Sequence, residues 1–499
     1  MFAHGLGGVK AENVVVGSID KQRSRVGQVC TYMTTDTRSA VVAALVHALG
    51  AGDVTPGDQI EERYLRDWVM ALRAGGASAL VRPRSVAEVS TTLRVCHELN
   101  VPVVPQGGRT GLCGGATPLE GSVIISLDRF TGIEDLDPAG STMTVRAGTP
   151  LQTVQEAAQK AGLFFPLDLG ARGSCHIGGT VATNAGGNRV IRYGMTRDLV
   201  LGLEVVLADG TVVTSLNTLI KNNAGLDIRQ IFIGSEGTLG IITRVVLRLY
   251  PAPRSTCTAF VAVPDYDRVV GLLRHAQAAL GGTLSAYEMM WPDFYTLMTT
   301  QVPGMPQPLP LGSEAYVLIE ALGSEPEPDL ARFERMLETA VEQNLLTDAV
   351  VAQSPADARS FWQVRDGSGD FPRIGWPGKS FDIGIPTARI GAFVEACRAA
   401  LRARWATAET AFFGHIGDSN LHLHVKVKEG DQPQGDIEAV VYEQTRAWSG
   451  TISAEHGIGV TKRQYLSYSR TPEEIGVMRA MKHALDPTGI LNPGKILST

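Results

Sequence analysis

The chain has 499 residues, more than one ordinary hydrophobic core can organise, so two or three domains are expected. Its 44% hydrophobic and 19% charged residues are the balance of a soluble globular protein, and a net charge of −6 argues against a nucleic-acid partner. No apolar run approaches the roughly 20 residues that span a bilayer. Cys30, Cys96, Cys113, Cys175, Cys257 and Cys397 are scattered without a CxxC spacing. They read as reduced thiols, which points to a cytoplasmic protein.

The first 32 residues hold one short apolar patch, Val14–Val16, among charges of both signs. That is neither a secretory core nor an acid-poor transit peptide. Residues 1–36 are therefore expected to be a disordered or mis-assigned extension, with the folded protein starting near Met33. Ser39–Leu49 reads as an apolar helix closed by Gly50. Ser85 with Glu88 predicts a capping box for a helix running to about Leu99. Val101–Val104 then leads into a loop, Pro105–Gly115, that holds five glycines. Glycine lets the main chain close on a phosphate and adopt positive φ, so this loop is a candidate pyrophosphate nest. It is neither a Rossmann GxGxxG nor a Walker motif, and taken alone it reads equally well as a turn.

Val123–Leu127 and Met143–Ala147 are further strands. Thr149-Pro150-Leu151-Gln152 predicts a second capping box with Pro at the first helical position. Two more stretches rich in glycine, hydroxyl and amide groups follow, Gly173–Asn188 and Gly234–Gly240. Three such stretches within about 130 residues suit one extended ligand such as a dinucleotide. Between them, Ala208-Asp209-Gly210 signals a hairpin of Leu203–Leu207 with Thr211–Thr214. Leu239–Tyr250 is a long β-rich run. After about Arg254, helices (Arg268–Leu280, Leu330–Gln343) alternate with strands such as Ala315–Glu320. That pattern predicts an α+β domain over 255–450 with an antiparallel sheet. Thr471-Pro472-Glu473-Glu474 caps a last helix to about Leu485.

The densest chemistry lies late in the chain. His415, His422 and His424 fall in one stretch, and Glu455-His456 in another. Leu421–Val427 has strand character, so His422 and His424 share a face. Three imidazoles and a carboxylate can hold a divalent metal with an open position, which leaves one imidazole to move a proton.

On these motifs the chain resembles a known group of flavoproteins. Arg82–Pro251 resembles the FAD-binding domain of the vanillyl-alcohol-oxidase (PCMH-type) superfamily. The remainder is similar to its D-2-hydroxyacid dehydrogenase branch, of the D-2-hydroxyglutarate, D-lactate and glycolate oxidase type. The resemblance implies an α+β fold. An FAD-binding domain of two subdomains would occupy 37–254, a cap domain with an antiparallel sheet 255–450, and a C-terminal helical segment returning to the flavin 451–499. It implies noncovalent FAD, because no histidine lies between Pro105 and Gly115 to attach it. Pro105, Gln106, Gly107, Gly108, Arg109, Thr110, Gly111, Gly114 and Gly115 would hold the pyrophosphate. Gly178, Gly179, Thr180, Thr183, Asn184, Gly186 and Gly187, with Glu236, Gly237, Thr238 and Gly240, would line the flavin and adenosine portions. Asn492 of the Asn-Pro-Gly-Lys tail would approach the flavin. Arg109 stands where relatives commonly carry Asn or Thr.

The same resemblance assigns His415, His422 and Glu455 to a divalent metal, zinc by the habit of the family, and His456 to the general base. Arg365, in Phe361-Trp362-Gln363-Val364-Arg365, would pair with the substrate carboxylate, and Lys379 and His424 are further substrate contacts. Lys379 sits one position out of register with the substrate lysine of the family. Gly369 replaces a threonine and His424 an asparagine of the 2-hydroxyglutarate enzymes.

The implied activity is oxidation of a D-2-hydroxy acid, of 2-hydroxyglutarate or lactate type, to the 2-keto acid. The hydride goes to flavin N5, and the electrons pass on to an electron-transfer flavoprotein or a quinone. A zinc-dependent hydrolase or a non-redox flavoprotein transferase are the alternatives. The oligomeric state is open, a homodimer included.

Overall fold

A computed structural model describes residues 35–69, 75–428 and 430–498. The expected N-terminal extension, with its boundary at Met33, lies almost wholly outside them. The helix read at Ser39–Leu49 spans Thr35–Leu49, with Gly50 at φ 91° ending it.

Two sheets build the first half. One orders Val54–Pro56, Ala79–Val81, Val123–Ser126 and Val103–Gln106, the last three parallel. These strands are apolar on both faces, as parallel strands between covering layers must be. The helix Val86–Glu98 connects Ala79–Val81 to Val103–Gln106. Ser85 caps it by accepting the Glu88 N–H at 3.2 Å. The Glu88 carboxylate accepts from the Arg84 N–H instead of reaching back to Ser85, so the predicted box is half formed.

The other sheet orders Ile133–Asp137, Thr142–Arg146, Ile241–Arg248, Val200–Val206 and Val212–Ser215, all antiparallel. The predicted hairpin joins its last two strands, with Gly210 at φ 85°. Thr149 does not cap the next helix as its pattern predicts. The N-cap of Leu151–Lys160 is Pro150, and the Thr149 hydroxyl donates to the Arg146 carbonyl. The free N–H groups of Leu151 and Gln152 reach the Cys175 and Arg172 carbonyls. That exchange ties the second glycine-rich stretch to the sheet. Both sheets share one core, which Leu491 joins from the C-terminal tail.

The second half is a seven-stranded antiparallel sheet. Its order is Asp348–Val351, Ser255–Val263, Ala315–Gly323, Leu284–Met290, Glu409–His415, Asn420–Lys426 and Lys379–Gly384. Helices Tyr266–Leu280, Pro326–Glu342, Ile390–Arg404 and Gln434–Ala447 cover one face, packing on Phe381, Ile383, Leu421 and Leu423. Helices Pro292–Gln301 and Pro355–Arg365 cover part of the other, around Phe260, Phe294 and Phe413. Each such aromatic contributes about 1.5–3 kcal/mol by its burial. The period-two alternation of strands sends Asp382, His422 and His424 to this second face. The last helix, Pro472–Leu485, carries the predicted capping box of Thr471 and Glu474. Among the described residues no helix is long and apolar enough to cross a membrane.

Candidate active site

The three glycine-rich stretches converge. A Cβ on Gly107 would lie 3.8 Å from the Gly179 main chain, and one on Gly108 would collide with the Ser174 carbonyl. The third stretch docks on the second through Glu236 N–H to Ala182 O (2.8 Å) and Gly234 N–H to Val181 O (3.1 Å). Asn492 closes the group: its amide donates to the Gly115 and Glu236 carbonyls, at 3.1 and 2.8 Å. The tail reaches this place by pairing with Val103, whose N–H donates to Ile490 O and whose carbonyl accepts from Asn492 N–H.

Positive φ angles at Arg109, Gly114, Glu236 and Gly237 are the backbone turns such loops need. The Gln106 Oε1, His176 Nδ1 and Asn492 Oδ1 atoms along this groove are buried and unpaired. Buried polar atoms left without partners inside a glycine-lined cradle fit a bound polar cofactor.

Not every residue of the three stretches faces the groove. Gly178 packs against Ala147 and Gly240 against Val205, where each glycine permits a close approach of backbones. Thr180, Thr183 and Thr238 donate their hydroxyls to carbonyls of their own turns. The Glu236 carboxylate accepts the N–H groups of Ile458 (2.7 Å) and Gly459 (2.8 Å). It anchors the loop that carries His456.

The histidine cluster adjoins this groove. Donor atoms of His415, His422 and Glu455 lie within 4.8 Å of one another, and so do those of Asp382, His422 and His456. Glu455 Oε1 also accepts the Gly187 N–H at 2.8 Å, and Gly186 packs against the same carboxylate. One residue therefore touches both the glycine cradle and the histidines.

Of the two clusters, the first suits a metal better. Asp382 Oδ2 is already engaged by the N–H groups of Ala454, Glu455 and His456 at 3.2, 2.9 and 2.9 Å. Its Oδ1 accepts from Asn420 at 2.8 Å. Burial alone would raise the Asp382 pKa, but His456, Lys462 and His422 outweigh it and hold the group far below the usual carboxylate range. Burial keeps His422 and His456 neutral, pushing both below the ordinary imidazole value. A neutral imidazole is what a metal ligand or a general base requires.

His415 is the most constrained of the four histidines. Its Nδ1 lies 2.8 Å from Glu288 Oε1, while Arg365 Nη2 lies 2.8 Å from its Nε2. Glu288 Oε2 accepts from Arg365 Nε at 2.8 Å. Burial would lower the His415 pKa, yet Glu288 draws a proton onto the ring and lifts it to about 9. Arg365 works the other way: an arginine N–H can only donate, so its contact at Nε2 opposes a second ring proton there and holds the first on Nδ1 beside Glu288. That Nδ1–H tautomer is the one whose Nε2 lone pair a metal could take in place of the Arg365 contact. Burial would raise Glu288, but His415 and Arg365 bring it down to about 2.

Arg365 ends the helix Pro355–Arg365, is itself buried, and packs over the Phe413 ring. His424 lies on the same face as His422 and packs in a three-ring cluster with Phe371 and Trp376, at 4.4 and 5.1 Å. Lys379 does not join them. It pairs in register with Val425 on the opposite face of the sheet and forms an ion pair with Glu438 at 2.6 Å. The residue of that strand facing the site is Ser380, whose hydroxyl meets His424 Nδ1 at 2.9 Å. Lys379 as a substrate contact is thus corrected by strand alternation.

Glu288 and Asp382 were not singled out in the sequence. Each is a lone acid inside an apolar stretch of a strand, Leu284–Met290 and Lys379–Gly384. Such a residue is almost never fully buried unless paired, which is the signal that could have found it.

Comparison with known proteins agrees with this architecture. Residues 77–215 match the FAD binding domain, and residues 252–496 match the C-terminal domain of FAD linked oxidases. A probable mitochondrial D-2-hydroxyglutarate dehydrogenase of Oryza sativa subsp. japonica is 42% identical over 434 residues, 86% of this chain and 77% of that protein. The mitochondrial D-2-hydroxyglutarate dehydrogenase of Bos taurus is 40% identical over 460 residues, 92% and 83% of the two chains. Among solved structures, p-cresol methylhydroxylase with substrate bound superposes with a TM-score of 0.73 at 16% identity, covering 93% of this chain and 98% of that one. At that identity the likeness shows the fold alone.

Proposed function

Since the chain belongs to the FAD-linked oxidases, in their D-2-hydroxyacid dehydrogenase branch, and oxidises a D-2-hydroxy acid with FAD, we propose that it does so with a divalent metal of zinc type held by His415, His422 and Glu455. The observation that carries this is the double engagement of Glu455, whose carboxylate accepts the Gly187 N–H and lies within 4.8 Å of donor atoms of two histidines, a spacing one ion can bridge. When bound, FAD takes up the C2 hydride and the metal makes the substrate hydroxyl more acidic.

The residues of the chain do the rest. His456, kept neutral by burial and directed through Nδ1 toward Asp382 at 3.9 Å, removes the hydroxyl proton. Arg365 donates through Nε to Glu288 and through Nη2 to His415; a metal taking His415 Nε2 would release Nη2, which with Nη1 would then meet the substrate carboxylate. Asp382 and Glu236 clamp the 453–459 loop from the cap sheet and from the flavin loop, and so fix His456 and Glu455 between the two halves. The electrons leave to a protein or quinone acceptor. A hydrolase or a non-redox transferase would leave one half of this arrangement unused.

The test is anaerobic flavin bleaching across D- and L-2-hydroxy acids, with and without EDTA. D-acids bleach the flavin, and EDTA slows or stops it. His456→Ala abolishes reduction while FAD and metal stay bound. His422→Ala loses metal and keeps its yellow colour. Full metal content in the second variant would defeat the ligand assignment.

A further inference from the structure

Resting on the reading of Arg365 as the cation for the substrate carboxylate, we propose that Glu320, with Trp362 and Arg189, is a positioning relay that sets Arg365 against the flavin half of the site. Arg365 ends the helix Pro355–Arg365, and that helix is tied to the sheet beneath it at two points. Glu288 accepts from Arg365 Nε at 2.8 Å, and Glu320 Oε2 accepts the Trp362 indole N–H at 2.9 Å. Trp362 and Arg365 stand three residues apart, about 4.5 Å along the axis and on one side of the helix. On the neighbouring strands Leu284–Met290 and Ala315–Gly323, Ala286 lies opposite Glu320 and Glu288 opposite Leu318. The two acids are therefore diagonal neighbours on one face of the sheet. One attachment alone would let the helix pivot about Glu288. The second removes that freedom, from a carboxylate outside the histidine cluster.

Glu320 is also where the flavin half grips the cap. Arg189 stands two residues after Gly187, whose N–H donates to Glu455. Its Nη1 donates to Asp168 Oδ2 at 2.6 Å and its Nη2 to Glu320 Oε1 at 3.4 Å. The Ser285 hydroxyl also donates to Glu320 Oε1, at 3.3 Å, so both carboxylate oxygens are engaged. Asp168 is itself pressed on the glycine cradle: a Cβ on Gly187 would lie 2.2 Å from its carbonyl oxygen. The residues after Arg189 continue the junction. Arg192 donates to the Thr283 and Leu322 carbonyls, and Ile191 packs on Gly417, two residues past His415. The Gly187–Glu455 contact and the helix of Arg365 are thus held to one reference through Asp168, Arg189, Glu320 and Trp362. A buried ion pair adds little net stability, because desolvation offsets its attraction; what it supplies here is one fixed geometry across the two halves.

The experiment uses the full-length holoenzyme with whichever of D-lactate, D-2-hydroxyglutarate and D-3-phenyllactate reduces its flavin fastest. KM, kcat and the dissociation constant of the matching 2-keto acid, read by perturbation of the flavin spectrum, are measured for wild type, Trp362→Phe, Arg189→Met and their double variant. Trp362→Phe keeps an aromatic ring and deletes the N–H. A contact to the carboxylate is the same in ground and transition states, so a displaced Arg365 raises KM and the keto-acid constant together by about tenfold, with kcat within about threefold. FAD content stays at the wild-type level. The double variant is expected to match the more impaired single variant, because both changes cut one relay. KM and keto-acid binding within about twofold of wild type in Trp362→Phe overturn the inference, and so do fold-changes that multiply in the double variant. Loss of FAD or of kcat in place of the KM rise also overturns it, as the mark of a merely structural role. Arg365→Lys is the reference: if it raises both constants while Trp362→Phe does not, the relay falls and the carboxylate reading stands. If Arg365→Lys leaves both unchanged, or if none of the three acids bleaches the flavin, the underlying reading falls and the relay with it. Should Trp362→Phe fail to fold, Arg189→Met applies the same criterion from the flavin side.

Discussion

Replacing Asp382 with asparagine tests how the site is held together. Asp382 is fully buried and accepts three successive main-chain N–H groups, from residues 454–456, on one oxygen and the Asn420 amide on the other. Lys462 is its nearest cation, at 3.7 Å. Asparagine offers one acceptor and one donor, so either the loop N–H groups or the Asn420 amide must face an NH2 group. Charge-assisted hydrogen bonds of this kind contribute about 1.5–3 kcal/mol each. Removing one partner of a buried ion pair costs about 3–5 kcal/mol because the other charge stays buried. Asp382→Asn is therefore expected to destabilise the cap half by about 3–5 kcal/mol.

Trp291, Trp362, Trp376, Trp405 and Trp448 all lie in that half, with only Trp68 elsewhere, so tryptophan fluorescence in a denaturant titration reports it directly. The pH dependence has a definite sign. The Asp382 pKa is depressed on folding, so its contribution is present above the unfolded value, about 3.9, and is lost as pH falls below it. Asp382 also raises the proton affinity of His456, so the variant should move the acid limb of kcat/KM to lower pH. A stability change under about 1 kcal/mol together with an unmoved acid limb would refute this reasoning.

Glu288→Gln should weaken metal binding by about 10–100-fold while FAD is retained, measured by competition with a chromophoric chelator, because Glu288 fixes the His415 ring. The Glu288 pKa is lowered from 4.5 to about 2, so its contribution is complete above pH 4.5 and fades toward pH 2. The variant should therefore show a shallower loss of stability in that window by acid titration. Lys379→Ala should leave kcat and KM within about twofold, since the lysine faces Glu438 across the sheet from the histidines; a tenfold rise in KM would restore it to the site. Acid precipitation should release all the flavin into the supernatant, and yellow colour retained in the pellet would show a covalent link.

Much of the fold was legible because the signals are local. Gly50, Asp209-Gly210 and Thr471 with Glu474 end, turn and cap the chain through their own backbone and side-chain chemistry. The alternation of Asn420–Lys426 set His422 and His424 on one face before any packing was known. Where a local pattern competed with a distant partner, the partner won. The Thr149 hydroxyl donates to the Arg146 carbonyl and accepts the Gly132 N–H, while the Cys175 and Arg172 carbonyls satisfy the helix end.

The sequence by itself determined the glycine stretches that close into one cradle, the strand that carries the histidines, and the presence of a carboxylate and a fourth imidazole beside them. Only the tertiary structure decided which acids serve that cluster and which cations are left for a substrate. Glu288 meets His415 from 127 positions away, and Asp382 meets Glu455 from 73. Lys379 and Ser380 are neighbours in the chain but point to opposite faces of a sheet whose register is set by its other strands. Contacts of this kind depend on how buried charges find partners across the whole core, and no local spacing encodes them.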